Sequence, residues 1–277
     1  MTRTSSRRTA RTTTRLAAAV AVAGLASVGV AGSVTADETD PPTFQEFKEQ
    51  THRDQTDQYI VDGDIPVASD DAELREFYDG LFQTTPTDGL VVNTTPSGDD
   101  LWTASQVGAL SYCVSDDFGG DYASVRDAMA DGATQWEQAA PAIDFVHDAS
   151  QDASCTTGNG SVTFSVEPTD DTSFIARAFF PSSPTSQRNV LVNARSLGSS
   201  GSWTPSNIMA HELGHVLGFR HEHTRPESGQ CFEDSSWRPL TPYDSASIMH
   251  YPQCGGSSDD LSMTDTDREG VRSVYGG

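Results

Sequence analysis

His211-Glu212-Leu213-Gly214-His215-Val216-Leu217-Gly218-Phe219-Arg220-His221 decides how this chain is read. Its spacing is H-E-x-x-H-x-x-G-x-x-H. A helix places residues i and i+4 on one face, so His211 and His215 can grip one metal ion, with Glu212 beside them in reach of a water on that metal. Gly218 can adopt the left-handed conformation that ends a helix, and the turn brings His221 back as a third ligand. Three protein ligands and an open position make a zinc site a reaction centre, whereas a structural site is closed by four. The bland alternative is a surface helix with scattered histidines. Gly218 and His221, added to the short motif, weigh against it.

Working outward, Thr204 can cap the motif helix with Pro205 at its first position, and Ile208, Leu213, Val216 and Leu217 fall opposite the metal face. Upstream, strands are expected at 109–114, 143–146, 162–166, 175–180 and 190–192. A long amphipathic helix is expected over 122–140, with Val125, Met129, Ala133 and Trp136 inward. Downstream, little regular structure is expected before a last helix at 265–275. Strands first and a catalytic helix after them indicate an α+β fold.

Residues 1–36 are read as a signal peptide. Arg3, Arg7, Arg8, Arg11 and Arg15 form a positive start, 16–34 is apolar and small, and Val34-Thr35-Ala36 fits signal-peptidase cleavage. The run is too weakly apolar to favour a membrane anchor. Residues 37–95 are read as a propeptide and linker, and an ordinary N-terminal subdomain is the alternative. They are rich in Asp, Glu, Gln and Thr, with weak helical character over 44–57 and a helix over 71–82 that sets Leu74, Phe77, Tyr78 and Leu81 on one stripe. The Thr, Pro, Gly and Asp of 84–100 are linker chemistry. Residues 96–277 are expected to form the catalytic domain.

The 277 residues carry a formal net charge of −23, and Lys48 is the sole lysine. That balance excludes nucleic acid, whose phosphates need cationic partners, and suits an exported, soluble monomer. No stable membrane association is expected once the signal is removed. Cys113, Cys155, Cys231 and Cys254 behind an export signal read as two disulfides. Of three pairings, Cys113–Cys155 with Cys231–Cys254 is the most local and is favoured. No C-x-x-C spacing supports a thiolate zinc site. The many Asp residues raise the question of calcium, but no loop has a recognisable calcium spacing.

Beyond the helix motif stands Ser247-Ile248-Met249-His250-Tyr251-Pro252. The long motif followed by a Met-containing turn resembles the metzincin zinc metallopeptidases. His221-Glu222-His223-Thr224-Arg225 and the form of the Met-turn are similar to the astacin branch. The chain departs from astacins at Pro226-Glu227-Ser228 and in the cysteines that bracket the turn, so it is similar to a distant bacterial relative.

The resemblance implies a mixed sheet, a long helix, an active-site helix and a small irregular C-terminal subdomain bearing the Met-turn. It implies a secreted zinc endopeptidase made as a zymogen, acting on protein or peptide substrates, with His211, His215 and His221 on the metal and Glu212 as general base. Met249 would floor the imidazoles. Tyr251 would lie near the metal as a displaceable ligand or oxyanion partner, or else be an ordinary core tyrosine. The substrate would run antiparallel to an edge strand, by strand order Ile175, Ala176, Arg177, Ala178, Phe179 and Phe180; Phe179 or Phe180 could instead be core. A propeptide thiol cannot block the metal, because no cysteine precedes Cys113. Astacins use an aspartate in a Gly-Asp pair, which here is Gly63-Asp64. Asp64 would then close the open zinc position, the alternative being a solvated turn acid.

Overall fold

The computed structural model describes residues 43–61, 63–80 and 90–276. The expected signal peptide, together with Leu81 and Phe82, lies outside them. Helix α1 (Phe44–Gln50) starts at Thr43, which exchanges capping bonds with Glu46. The helical reading of 44–57 ends early for a local reason. One Asp54 carboxylate oxygen accepts from the Thr56 and Gln58 amides at 2.8 and 3.0 Å, which folds the backbone into an Asx-type turn instead. Strands β1 (His52–Arg53), β2 (Tyr59–Val61) and β3 (Ile65–Ala68) then form an antiparallel sheet in that order. Helix α2 (Asp71–Gly80) covers it by burying Leu74 against Tyr59 and Ala68.

The remainder runs β4 (Val91–Thr95), β5 (Gly98–Asp99), α3 (Ala104–Val107), β6 (Leu110–Val114), α4 (Tyr122–Ala139), β7 (Phe145–His147), β8 (Phe164–Pro168), β9 (Ala176–Arg177), β10 (Asn189–Val192), α5 (Ala194–Leu197), α6 (Pro205–Val216), β11 (Trp237–Pro239) and α7 (Asp265–Tyr275). The main sheet has the order β7-β6-β8-β10-β9. Its first four strands are parallel, and β9 joins antiparallel at the edge, pairing Arg177 with Leu191. The sheet is therefore mixed.

Two sequence expectations are corrected here. The stretch 91–95 is not linker: it forms β4, which pairs with β11 and β5, and its Val91 carbonyl accepts from the Arg220 amide at 3.0 Å. Val91 and Val92 are fully buried, a role that the surrounding Thr, Pro and Gly disguise. The strand expected over 175–180 is confined to Ala176–Arg177. Beyond it Phe179 turns into the core, and Ser183 folds the chain back by accepting from the Phe180 amide and donating to its carbonyl.

Helix α4 packs on α6 beneath the sheet. The expected inward residues Val125, Met129, Ala133 and Trp136 are all buried, and the Trp136 indole donates to the Ala210 carbonyl at 2.7 Å. The disulfides are Cys113–Cys155, which ties β6 to the turn after β7, and Cys231–Cys254. No helix among the described residues is long and apolar enough to cross a membrane. Trp136→Ala should destabilise the fold by about 3–5 kcal/mol, because it removes both buried volume and the bond that fixes α4 to α6. The denaturant midpoint measures this, and a loss below about 1 kcal/mol would show that the α4–α6 contact is not central.

Candidate metal and catalytic site

Helix α6 positions the first two histidines. The Thr204 hydroxyl caps its start by accepting from the Asn207 amide at 3.2 Å, and Pro205 occupies the first turn. The helix stops at Gly218, whose φ is 96°. A side chain there is barred twice over: by the left-handed backbone, and because a Cβ would lie 2.1 Å from the Asp100 carbonyl oxygen. The chain then returns through Phe219 and Arg220 to present His221.

The three imidazoles converge. Ring centroids are 5.0 Å apart for His211 and His215, 4.8 Å for His215 and His221, and 5.1 Å for His211 and His221. Each ring is held at its far nitrogen. His211 Nδ1 donates to the Ile248 carbonyl at 2.7 Å and His215 Nδ1 to the Phe219 carbonyl at 2.8 Å, while His221 Nδ1 meets Glu233 Oε1 at 2.6 Å. A carbonyl can only accept, so His211 and His215 each carry a proton on Nδ1, and the Nε2 atoms of all three rings face inward. Burial lowers the His215 pKa to about 4, against the opposing pull of Asp64, so this ring is neutral at neutral pH.

Asp64 enters the same space from the β2–β3 turn. Its Oδ2 lies 3.2 Å from His211 Nε2 and 3.7 Å from His215 Nε2, and its Oδ1 lies 3.2 Å from His221 Nε2. The four candidate ligand atoms fall within 4.8 Å of one another, all buried. Asp64 Oδ1 and His215 Nε2 have no hydrogen-bond partner. Buried acceptors facing one another without donors would cost about 1–3 kcal/mol each, and a cation at their centre satisfies all of them. The nitrogen-and-carboxylate donor set suits zinc.

The motif's other residues are arranged around this point. Glu212 is 2 % exposed, and its Oε2 has no hydrogen-bond partner. Burial, and then the Asp64 charge, push its pKa well above the usual carboxylate range, against His221 and Arg177. Met249 packs against the motif helix. A Cβ on Gly214 would sit 2.4 Å from its sulfur, so the glycine inside the motif makes room for the Met-turn. The Met249 carbonyl accepts from the Glu222 amide at 2.7 Å. Tyr251 stacks on His211 at 5.2 Å and on Trp203 at 5.9 Å, and its hydroxyl donates to Asp64 Oδ2. Phe180 meets His215 edge-on at 5.7 Å, so it borders the site rather than serving the core alone. Ile175 and Ala176 line a cavity of about 170 Å³ together with His211, Glu212 and Tyr251.

Sequence reasoning missed several contributors. Glu233 joins His221 to Arg220, whose Nη2 donates to Glu233 Oε2 at 2.7 Å. Asp267 at the start of α7 accepts from the Ser247 hydroxyl at 2.5 Å and the Ile248 amide at 2.9 Å, which fixes the Met-turn. Thr264 and Asp267 have capping-box spacing, which signals a helix start but not this second use. Arg177 is fully buried against Asp54, its Nε donating to Asp54 Oδ2 at 2.7 Å. Removing one partner of such a pair costs about 3–5 kcal/mol.

No protein-family model matches the chain. Zinc metalloproteinase nas-39 of Caenorhabditis elegans is 41 % identical over a 63-residue alignment that takes in 16 % of this chain. The alignment spans only 7 % of that relative's length. Among solved structures, myroilysin aligns over 67 % of this chain and 98 % of its own, with 18 % identity and a TM-score of 0.46. The chain thus shares a segment with a zinc metalloproteinase and holds a histidine-rich candidate metal site.

Glu233→Gln should weaken zinc binding by about 10–100-fold, because it removes the charge that orients His221. Competition against a chelator of known affinity measures this. A variant that binds zinc as tightly as its parent would show that Glu233 does not orient His221 for the metal.

Proposed function

We propose that the protein is an exported, monomeric zinc endopeptidase of the metzincin type, astacin-like, and that it is made as a zymogen. The convergence of three inward-facing imidazoles with the Asp64 carboxylate carries this reading. The segment shared with a zinc metalloproteinase supports it, and the two disulfides fit an extracellular location. His211, His215 and His221 would hold the ion. When bound, zinc supplies Lewis acidity, polarising a peptide carbonyl and bringing the pKa of water to about 7.

The chain's own residues account for the rest. Glu212, buried beside the ligands with a carboxylate oxygen to spare, accepts a proton from the attacking water and returns it to the leaving amine. The Tyr251 hydroxyl, engaged by Asp64 in the precursor, becomes available to donate to the developing oxyanion once Asp64 leaves. Met249 packs against the motif helix at Gly214, and Trp203 backs the Tyr251 ring. The peptide lies along β9, whose outer edge carries no strand partner among the described residues. Asp64 fills the position that water and substrate need, so the precursor is silent until residues up to the start of β4 are removed.

Glu212→Gln should retain stoichiometric zinc and lose about 10²–10⁴-fold in kcat on casein-derived peptides. Chelation should abolish wild-type activity and added zinc restore it. A Glu212→Gln enzyme that keeps wild-type turnover would refute the assignment. Independently, Asp64→Ala precursor should digest casein with its N-terminal segment still attached, whereas wild-type precursor does not. Equal inactivity of the two precursors would remove Asp64 from its blocking role.

A further inference from the structure

The N-terminal segment carries a core of its own. Tyr59, Ala68 and Leu74 are buried together, with Phe44, Phe47 and Val67 packed around them, and this cluster is separate from the main core. The Tyr59 hydroxyl donates to Asp71 Oδ1 at 2.6 Å, which ties β2 to α2 within the segment. Polar contacts fasten the segment to the rest of the chain. Asp54 accepts from Arg177 Nε at 2.7 Å, with both side chains completely buried, and Arg177 Nη2 donates to Thr56 Oγ1 at 2.8 Å. The Thr169 hydroxyl donates to Gln55 Oε1 at 2.7 Å, and His52 Nε2 meets Asp171 Oδ2 at 2.5 Å. The receiving side is held from behind. Asn189 Oδ1 accepts from Arg177 Nη1 at 3.0 Å, and Asn193 Nδ2 donates to the Asp171 carbonyl at 2.7 Å. This surface is therefore ordered by the catalytic domain, so little has to be arranged when the segment binds.

These contacts come from residues 52–56, and the Asp64 contacts at the histidines lie only a few residues on. A cut between Gly80 and Leu90 leaves all of them in place and removes only the tether, which contributes an effective concentration of about millimolar. A buried ion pair is slow to part, because departure strands its charges. We propose that residues 43–80, once cut from the catalytic domain, stay bound to it as a separate inhibitory subunit, held on a surface made by Thr169, Asp171 and Arg177 that lies outside the metal ligands. This rests on the peptidase reading above and adds a second requirement to it. Cutting the chain does not activate the enzyme; displacement or digestion of the segment does.

The test uses full-length precursor with the recognition sequence of a site-specific protease placed within residues 81–89. After complete cutting, the two pieces should co-elute on gel filtration, and casein digestion should stay within about twofold of uncut precursor. In Asp64→Ala the cut pieces should still co-elute, because the holding surface is intact. In Asp54→Asn the segment should leave on dilution faster by about tenfold or more. If that precursor does not fold, His52→Ala combined with Gln55→Ala is read the same way. Activity that appears in step with the cut, or wild-type pieces that elute apart, overturns the inference. So does an Asp64→Ala complex that falls apart, which would assign the holding to the metal site alone, or release that is no faster in the surface variants. Cut wild-type protein that sheds its segment on dilution, holds zinc and still cleaves nothing takes down the peptidase reading and leaves the docking result standing.

Discussion

Three imidazoles aimed at one buried point are the constraint around which this molecule is organised. Left alone, that arrangement is unfavourable, since it leaves His215 Nε2 and Asp64 Oδ1 buried without hydrogen-bond partners. The fold meets the cost by locking the opposite nitrogens. Ile248, Phe219 and Glu233 each hold one ring from outside, so the rings cannot rotate to find better partners. A divalent cation is the natural occupant of what remains.

Much of the fold serves that geometry. The α4–α6 contact supports the helix that carries two of the rings. The left-handed Gly218 and the short strand β4 return the chain so that the third can face them. Gly214 lets a methionine sulfur approach the helix backbone where any larger residue would displace it. The N-terminal segment fits the cleft by side chains: Asp64 at the rings, Asp54 at Arg177. Among the described residues it keeps its own small sheet and does not extend β9.

The site was legible in the sequence where its geometry is local. His211, Glu212 and His215 share a helical face, and Gly218 with Thr204 and Pro205 marks the ends of that helix, so spacing alone carries the arrangement. The long helix α4 and the last helix α7 were legible for the same reason, because their burial repeats with the helical period. Contributors that meet only through the tertiary fold were not. Glu233 lies in an irregular stretch with no periodicity, and its pairing with His221 and Arg220 depends on how the loop closes. Arg177 read as one residue of an expected edge strand, and nothing in its surroundings announced a buried partner more than a hundred residues away. Strand β4 was hidden because turn-forming residues flank it, while the residues that bury it lie in β11 and beyond Gly218.

The bonds from Asp267 to Ser247 and Ile248 have a bearing on biosynthesis. Ile248 supplies the carbonyl that fixes the first histidine, and its own backbone is fixed by the opening turn of α7. During translation a growing polypeptide that has not yet reached residue 267 can form α6 but cannot clamp that carbonyl in place. Orientation of the first imidazole thereby waits for a carboxylate that lies far downstream of it in the chain.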